Sequence, residues 1–239
     1  MSESSQNLLS NAHVAPEVFK LRPDYRTLLI VVEGIPPGPS DATSENLLQE
    51  AEASARAQLA KQAVTDLPHV AAWRAAYNDF GSKPKKYRNS LEALTRRVEG
   101  GLPRVNRLTD IYNAISVKHQ IPLGGEDLDK YKGAPRCVRA TGQETFQIVA
   151  SGETVTEHPD PGEVVWCDEV GVTCRRWNWR QDPRTALQES TTRALFILDA
   201  LGPITDESLE AAAQELVSTL KKLNSDIITS QRAIKASSE

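Results

Sequence analysis

The run Arg26–Gly34 (RTLLIVVEG) constrains this chain most. It is apolar and β-branched, short, and closed at once by IPPGPS, so it predicts a buried strand followed by a turn. Helical patterns come next. Asp41 to about Val64 is rich in Ala, Glu and Gln, with Asp41 or Ser44 as cap. Leu67–Phe80 predicts a second helix, with Pro68 tolerated in its first turn. Ser90–Glu99 predicts a third, ended by Gly100-Gly101, and Pro103 opens a fourth. Beyond these the character changes. Arg136–Thr141, Thr145–Ala150, Glu163–Cys167 and Gly171–Arg175 read as strands separated by Gly, Pro and Asp. Arg193–Leu201 (RALFILDAL) is strand or helix by periodicity alone, and Thr205–Leu223 is an amphipathic helix. Helices, then strands, then a helix predict an α/β (mixed α+β) layered domain. A central mixed sheet would be flanked by helices, with no alternating βαβ units. The expected divisions are an N-terminal arm over 1–20, one domain over 21–225 and a polar C-terminal tail over 226–239.

At 239 residues the chain is long enough to bury a substantial core. Its net charge of −4 gives no global field for nucleic acid. The distribution is more informative. Residues 1–66 hold nine acids and five bases, whereas residues 83–107 hold eight bases against Glu92 and Glu99. Such a patch binds phosphates without making the whole molecule adhesive, and it is equally the solvated face of a helix. Three cysteines without a CxxC, and four scattered histidines, predict neither a disulfide framework nor a metal site. No P-loop, GxGxxG or GxSxG occurs, so no cofactor is predicted and no nucleophilic triad is visible. The N-terminus lacks an apolar signal core, and no apolar run approaches the roughly 18 residues of a membrane span. A reducing cytoplasm and no membrane contact are expected. Oligomeric state is not legible.

Three polar centres stand out. On the fourth helix Asn106, Asp110 and Asn113 fall at i, i+4 and i+7, a polar stripe beside an apolar one. Short side chains that both donate and accept suit a polar cavity. Gly124-Gly125 reads as a flexible turn. Asp168–Asp182 (DEVGVTCRRWNWRQD) packs Arg and Trp together, a pairing suited to bases and phosphates. Read as a strand, it puts Arg175, Trp177 and Trp179 on one face and Arg176, Asn178 and Arg180 on the other. A half-buried strand with Trp inside and Arg outside fits the same pattern. Asp168 and Glu169 read as turn residues and Cys174 as core.

Residues from about 68 to 201 resemble the B3/B4 domain of the phenylalanyl-tRNA synthetase β subunit. They are closer still to its freestanding single-domain relatives. The resemblance rests on PRVNRLTDIYNAISVKHQIPLGGEDLDKYKG, RATGQETF, GEVVWCDEVGVTCRRWNWRQD and TTRALFILDAL, in that order. In the synthetase this domain hydrolyses tyrosine wrongly esterified to the phenylalanine tRNA. The resemblance therefore implies a B3/B4-like fold, a tRNA partner and a pocket for its aminoacylated 3′ end. Asn106, Asp110 and Asn113 match the polar helix of the motif. The synthetase usually has a histidine after Pro-Leu, where Pro122-Leu123 here meets Gly124-Gly125. Its glutamate-bearing, Gly-rich stretch has no clean match and falls near Trp177–Asp182. The Gly version and the RRWNWRQ-like strand are features of the freestanding branch. The chain is far too short for a synthetase.

Two activities follow as expectations: hydrolysis of a mischarged aminoacyl-tRNA in trans, or tRNA or small-ligand binding without catalysis. For hydrolysis, the catalytic candidates are Asn106, Asp110, Gly124, Gly125 and Asn178. A positioned water and hydrogen bonds to the developing oxyanion would suffice for so activated an ester. The binding candidates are Lys83, Lys85, Lys86, Asn113, Arg175 and Arg180 for the acceptor end, and Trp177 or Trp179 for stacking on the terminal adenine.

Overall fold

A computed structural model of the chain describes residues 2–150 and 152–236. Met1 of the expected arm and residues 237–239 of the expected tail lie outside the described residues. The chain opens with α1 (Glu3–Asn11), β1 (His13–Val14), α2 (Pro16–Leu21) and β2 (Arg26–Glu33). Helices α3 (Ala42–Leu59), α4 (Pro68–Asp79), α5 (Ser90–Thr95) and α6 (Arg107–His119) follow. Strands β3 (Leu123–Asp127), β4 (Arg136–Arg139), β5 (Phe146–Ala150), β6 (Glu153–Glu157), β7 (Val164–Cys167), β8 (Val172–Arg175), β9 (Arg180–Gln181) and β10 (Arg193–Ala200) come next. The chain then forms α7 (Asp206–Leu223) and β11 (Ile228–Lys235). The fold is mixed α/β, as the sequence predicts.

The segment left ambiguous by periodicity, RALFILDA, is a strand because both its edges are paired. β10 runs antiparallel to β2 from Arg193↔Glu33 to Ala200↔Arg26, and antiparallel to β3 on its other side. The sheet order is β11-β2-β10-β3. Residues alternate between two cores. Leu28, Ile30, Val32, Phe196 and Leu198 face α6 and α7, meeting Ile111, Ile115, Leu216 and Leu220. Leu29, Val31, Leu195 and Ile197 face the other way, onto Trp73 and Tyr77 of α4 and Val164 and Trp166 of β7. The second sheet has the order β1-β4-β7-β8-β9, with β1 and β4 parallel and the rest antiparallel. The mixed pairing lies in this five-stranded sheet, and the four-stranded one is antiparallel throughout.

Both ends of the described chain are tied in. His13 and Val14 pair with Arg136 and Cys137, and Ile228–Lys235 pairs with β2 along its whole length. The segment expected to be a polar tail is thus an edge strand. Its sequence, ITSQRAIK, is polar because an edge strand buries few of its side chains.

Half of the basic segment's cations prove to be paired. Glu92 is fully buried and takes Arg74 and Arg96 at 2.9 Å and Arg88 at 4.0 Å. Arg104 bridges Glu45 and Glu52 of α3, and Arg107 meets Asp41 at 3.5 Å. Among the described residues, Lys83, Lys85, Lys86 and Arg97 have no carboxylate within 4.0 Å. Glu92→Ala leaves three arginines around an apolar gap. Partial exposure of those arginines moderates the loss, so about 2–3 kcal/mol is expected, below the roughly 3–5 of a fully buried pair. Urea unfolding measures it, and an unchanged midpoint would contradict the assignment.

Candidate functional site

The chain cannot run straight from β8 to β9. Residues 176–179 form a turn in which Arg176 and Trp177 adopt positive φ, 45° and 68°, without being glycine. Each costs about 1–2 kcal/mol relative to the ordinary helical region. The surrounding contacts hold them there. Trp177 N–H donates to the Val164 carbonyl, and Arg176 N–H to Glu163 Oε1 at 3.0 Å. The Trp177 indole, fully buried, stands edge-on to Tyr25 at 4.8 Å and Trp73 at 5.2 Å. The expected strand alternation through RRWNWRQ is therefore corrected: the segment is a hairpin turn. Trp177 is seated in the core and is not presented to a base.

This turn closes one side of a cavity of about 270 Å³. The floor comes from the edge of the central sheet. Gly124 and Glu126 share one face of β3, and Ile197 and Asp199 share the adjoining face of β10. Asn113 and Tyr112 of α6 and Ser90 and Leu94 of α5 supply a second wall, and Trp166, Cys174, Asn178, Trp179 and Gln181 a third. Arg97 and Arg180 are exposed at the rim.

The floor is acidic. Asp199 is 2 % exposed and Glu126 3 %. Burial pushes the Asp199 carboxyl up to about 7, although Tyr25 Oη donates to its Oδ1 at 2.7 Å and Asn178 Nδ2 to its Oδ2 at 3.3 Å. Burial likewise pushes Glu126 up to about 8, despite the Gln181 amide donating to its Oε2 at 2.7 Å. The same amide donates to the Gly125 carbonyl at 2.6 Å, which fixes the acid against the sheet edge. Asn178 is held from both sides, its Oδ1 accepting from Tyr77 Oη at 3.0 Å. Asn113 is 6 % exposed and its amide has no hydrogen-bond partner among the described residues. Trp166 Nε1 and Trp177 Nε1 are buried donors that meet no acceptor at hydrogen-bond distance among the described residues. Burial raises the Cys174 thiol well above its usual range, so it is a poor nucleophile.

The residues singled out from sequence divide sharply. Asn113, Gly124, Trp177, Asn178, Trp179 and Arg180 line the cavity. Asn106 and Asp110 do not. The helix starts at Arg107, not at Pro103, so Asn106 is its N-cap: Oδ1 accepts from Thr109 N–H at 2.9 Å and Nδ2 donates to the Leu187 carbonyl at 3.0 Å. Asp110 accepts from Val105 N–H at 2.8 Å and Ser40 Oγ at 2.5 Å, anchoring the lead-in to the helix. Gly124-Gly125 is a strand, not a turn. A Cβ at Gly124 would meet nothing within 4 Å, whereas one at Gly125 would lie 2.6 Å from Leu187 Cδ1. Arg175 is buried and paired with Glu163 at 2.8 Å and Glu157 at 2.9 Å, so it is not a free phosphate ligand. Lys83, Lys85 and Lys86 are exposed on the loop before α5, away from this cavity. Asp168 is a turn residue, accepting from the N–H groups of Lys132, Val170 and Gly171.

Glu126, Asp199, Gln181 and Arg97 were missed. Asp199 had a signal: it is a lone acid in an otherwise apolar run. Glu126 lies two residues from Gly124, hence on the same face once the segment is known to be a strand. Both carboxyls keep their protons to higher pH in the folded protein than in the unfolded chain. Stability therefore falls as pH rises from the ordinary carboxylate range to about 8. Glu126→Gln should flatten that fall, read as Tm between pH 5 and 8.5; identical slopes would refute it. Gly124→Ala should fold with unchanged Tm, while Gly125→Ala should lose about 1–3 kcal/mol through overpacking.

Comparison with known proteins follows this geometry. A family model described as the B3/4 domain matches residues 72–232. No curated protein matches the chain. Among solved structures, an N-terminal fragment of the phenylalanyl-tRNA synthetase β subunit from Pyrococcus horikoshii is similar at 11 % identity and a TM-score of 0.45. The match covers 92 % of this chain and 49 % of that one, so the chain spans about half the length of that fragment.

Proposed function

The chain belongs to the B3/4 domain family, and from that premise we propose that it is a hydrolase of aminoacyl-tRNA esters, acting in trans on mischarged tRNA. The observation that carries this reading is the charge arrangement of the cavity. Two buried carboxyls, Asp199 and Glu126, form its floor, and Arg97 and Arg180 stand at its rim. An aminoacyl ester of RNA has the complementary layout, with a cationic ammonium at one end and phosphates at the other. The volume of about 270 Å³ lies just below the roughly 300–1,000 Å³ of drug-sized ligand sites. It suits an amino acid and leaves the nucleotide outside.

On this reading Asp199, held by Tyr25 and Asn178, receives the ammonium. Asn113 offers a donor to the ester carbonyl. Glu126, steered by Gln181, takes a proton from water as its oxygen attacks the carbonyl carbon. The bond to the ribose oxygen breaks, and that oxygen leaves with the proton. Trp179, half-buried at the mouth, stacks on the terminal adenine. The acidic floor repels aspartyl and glutamyl esters and suits neutral or basic side chains. No helix among the described residues is long and apolar enough to cross a membrane. We place the protein in the cytoplasm, where its substrate is.

Deacylation across a panel of aminoacyl-tRNAs tests the proposal. Glu126→Gln should lower kcat about 10²- to 10⁴-fold, and Asp199→Asn should raise KM about 10- to 100-fold. The rate above spontaneous hydrolysis should climb with pH to about 8 and then level, because the floor must be ionised to hold a cation and accept a proton. A wild-type protein that leaves every member of the panel intact at micromolar concentration, yet binds tRNA, would establish the non-catalytic alternative instead.

A further inference from the structure

A second cavity, of about 430 Å³, lies on the other side of the turn at residues 176–179. Trp179 lines the first cavity and Arg176 the second. Three residues of backbone separate them, at most about 11 Å. The second cavity is lined by Ser82, Lys83, Lys86, Tyr87 and Arg176, with Asp160 and Glu163. Its donors exceed its acceptors. Arg176 is 4 % exposed, yet its Nη1 has no hydrogen-bond partner among the described residues. Ser82 is 9 % exposed and its Oγ is likewise unmatched among the described residues. Lys83 and Lys86 are exposed and meet no carboxylate among the described residues.

The acids here are already engaged. Glu163 accepts both the Arg175 fork and the Arg176 N–H, and Asp160 takes Arg176 Nη2 at 3.3 Å. The Arg176 guanidinium is also clamped in place, its carbon 3.7 Å from the Tyr87 ring centre and 4.6 Å from that of Trp179. A positioned guanidinium with one free edge, a free hydroxyl and two exposed ammonium groups make a site for a tetrahedral oxyanion. We propose that this cavity binds a backbone phosphate of the RNA whose aminoacyl group enters the first cavity. The turn would then read both ends of one substrate. This inference rests on the aminoacyl-tRNA reading above.

The test uses the full chain and three probes. One is the trinucleotide CCA carrying an amide-linked, unhydrolysable amino acid at its 3′ end. The second is the same aminoacyl amide on adenosine without phosphates, and the third is inorganic phosphate. Binding is followed by tryptophan fluorescence. Lys83→Ala/Lys86→Ala, changed only at exposed side chains, should weaken the trinucleotide about tenfold. It should also lower the slope of log affinity against log salt by about one. The adenosine compound should bind as before. Ser82→Ala should weaken the trinucleotide several-fold while leaving Tm equal or higher, since it removes an unmatched buried hydroxyl. Equal affinity of wild type and both variants for the trinucleotide would overturn the site. So would binding of inorganic phosphate in this cavity without any preference for the trinucleotide over the adenosine compound. A chain that hydrolyses no ester but shows the predicted pattern defeats the deacylase reading and leaves the phosphate site standing.

Discussion

β10 is paired on both edges and covered on both faces, so every group it carries must be satisfied without bulk water. Six of its residues meet this condition by being apolar; Asp199 does not. A carboxylate in such a place must be paired, hydrogen-bonded or protonated. Tyr25, Asn178 and an upward shift of its pKa meet that need. The same applies to Glu126 on the neighbouring strand. The central sheet thus both organises the two cores and fixes a pair of acids where an apolar wall would be expected. A cation entering the cavity would ionise them, and the energy held against burial would reappear as selectivity for that cation.

The turn at Arg176 and Trp177 is the second fixed point. Two consecutive left-handed, non-glycine residues persist because the Trp177 indole is locked between Tyr25 and Trp73 and the backbone is held by Val164 and Glu163. One buried side chain thereby sets the direction of its neighbours. Asn178 and Trp179 turn to the first cavity and Arg176 to the second. Strain at a site that aims several side chains is the usual place for function to reside, and here it lies between the two candidate subsites.

Much of the fold was legible because hydrophobic period survives in single segments. RTLLIVVEG, the Leu-rich stripe of α7 and the short strands of the second half each carry their own pattern. The site was less legible for three physical reasons. Glycines have no side chain to show alternation, so Gly124-Gly125 looked like a turn although it is a paired strand. Arg and Trp at alternating positions mimic a strand, while only the tertiary cage around Trp177 reveals the reversal. Arg104 looked free because its partners come from elsewhere: Glu45 and Glu52 lie on α3, more than fifty residues away in sequence. Asn106 and Asp110 matched a motif at the right spacing, and the helix uses them for its own start.

On the proposed reading, the position after Pro122-Leu123 shows how one residue redistributes chemistry. The resemblance places a histidine there in the synthetase domain, and this chain has Gly124, whose missing Cβ would project into open cavity. Any side chain at that point would occupy the volume in front of Glu126, two residues along on the same face. Glycine therefore does two things at once. It enlarges the cavity and it leaves a buried acid as the titratable group nearest that wall, with a pKa of about 8 in place of an imidazole near 6.5. As the proposed base, Glu126 would act above neutrality and attract positive charge, which an imidazole would repel when protonated. On the proposed reading, the change from histidine to glycine does not remove acid–base chemistry from the pocket. It moves that chemistry one strand step onto a carboxylate, and in doing so shifts the substrates the pocket admits towards those that carry a cation.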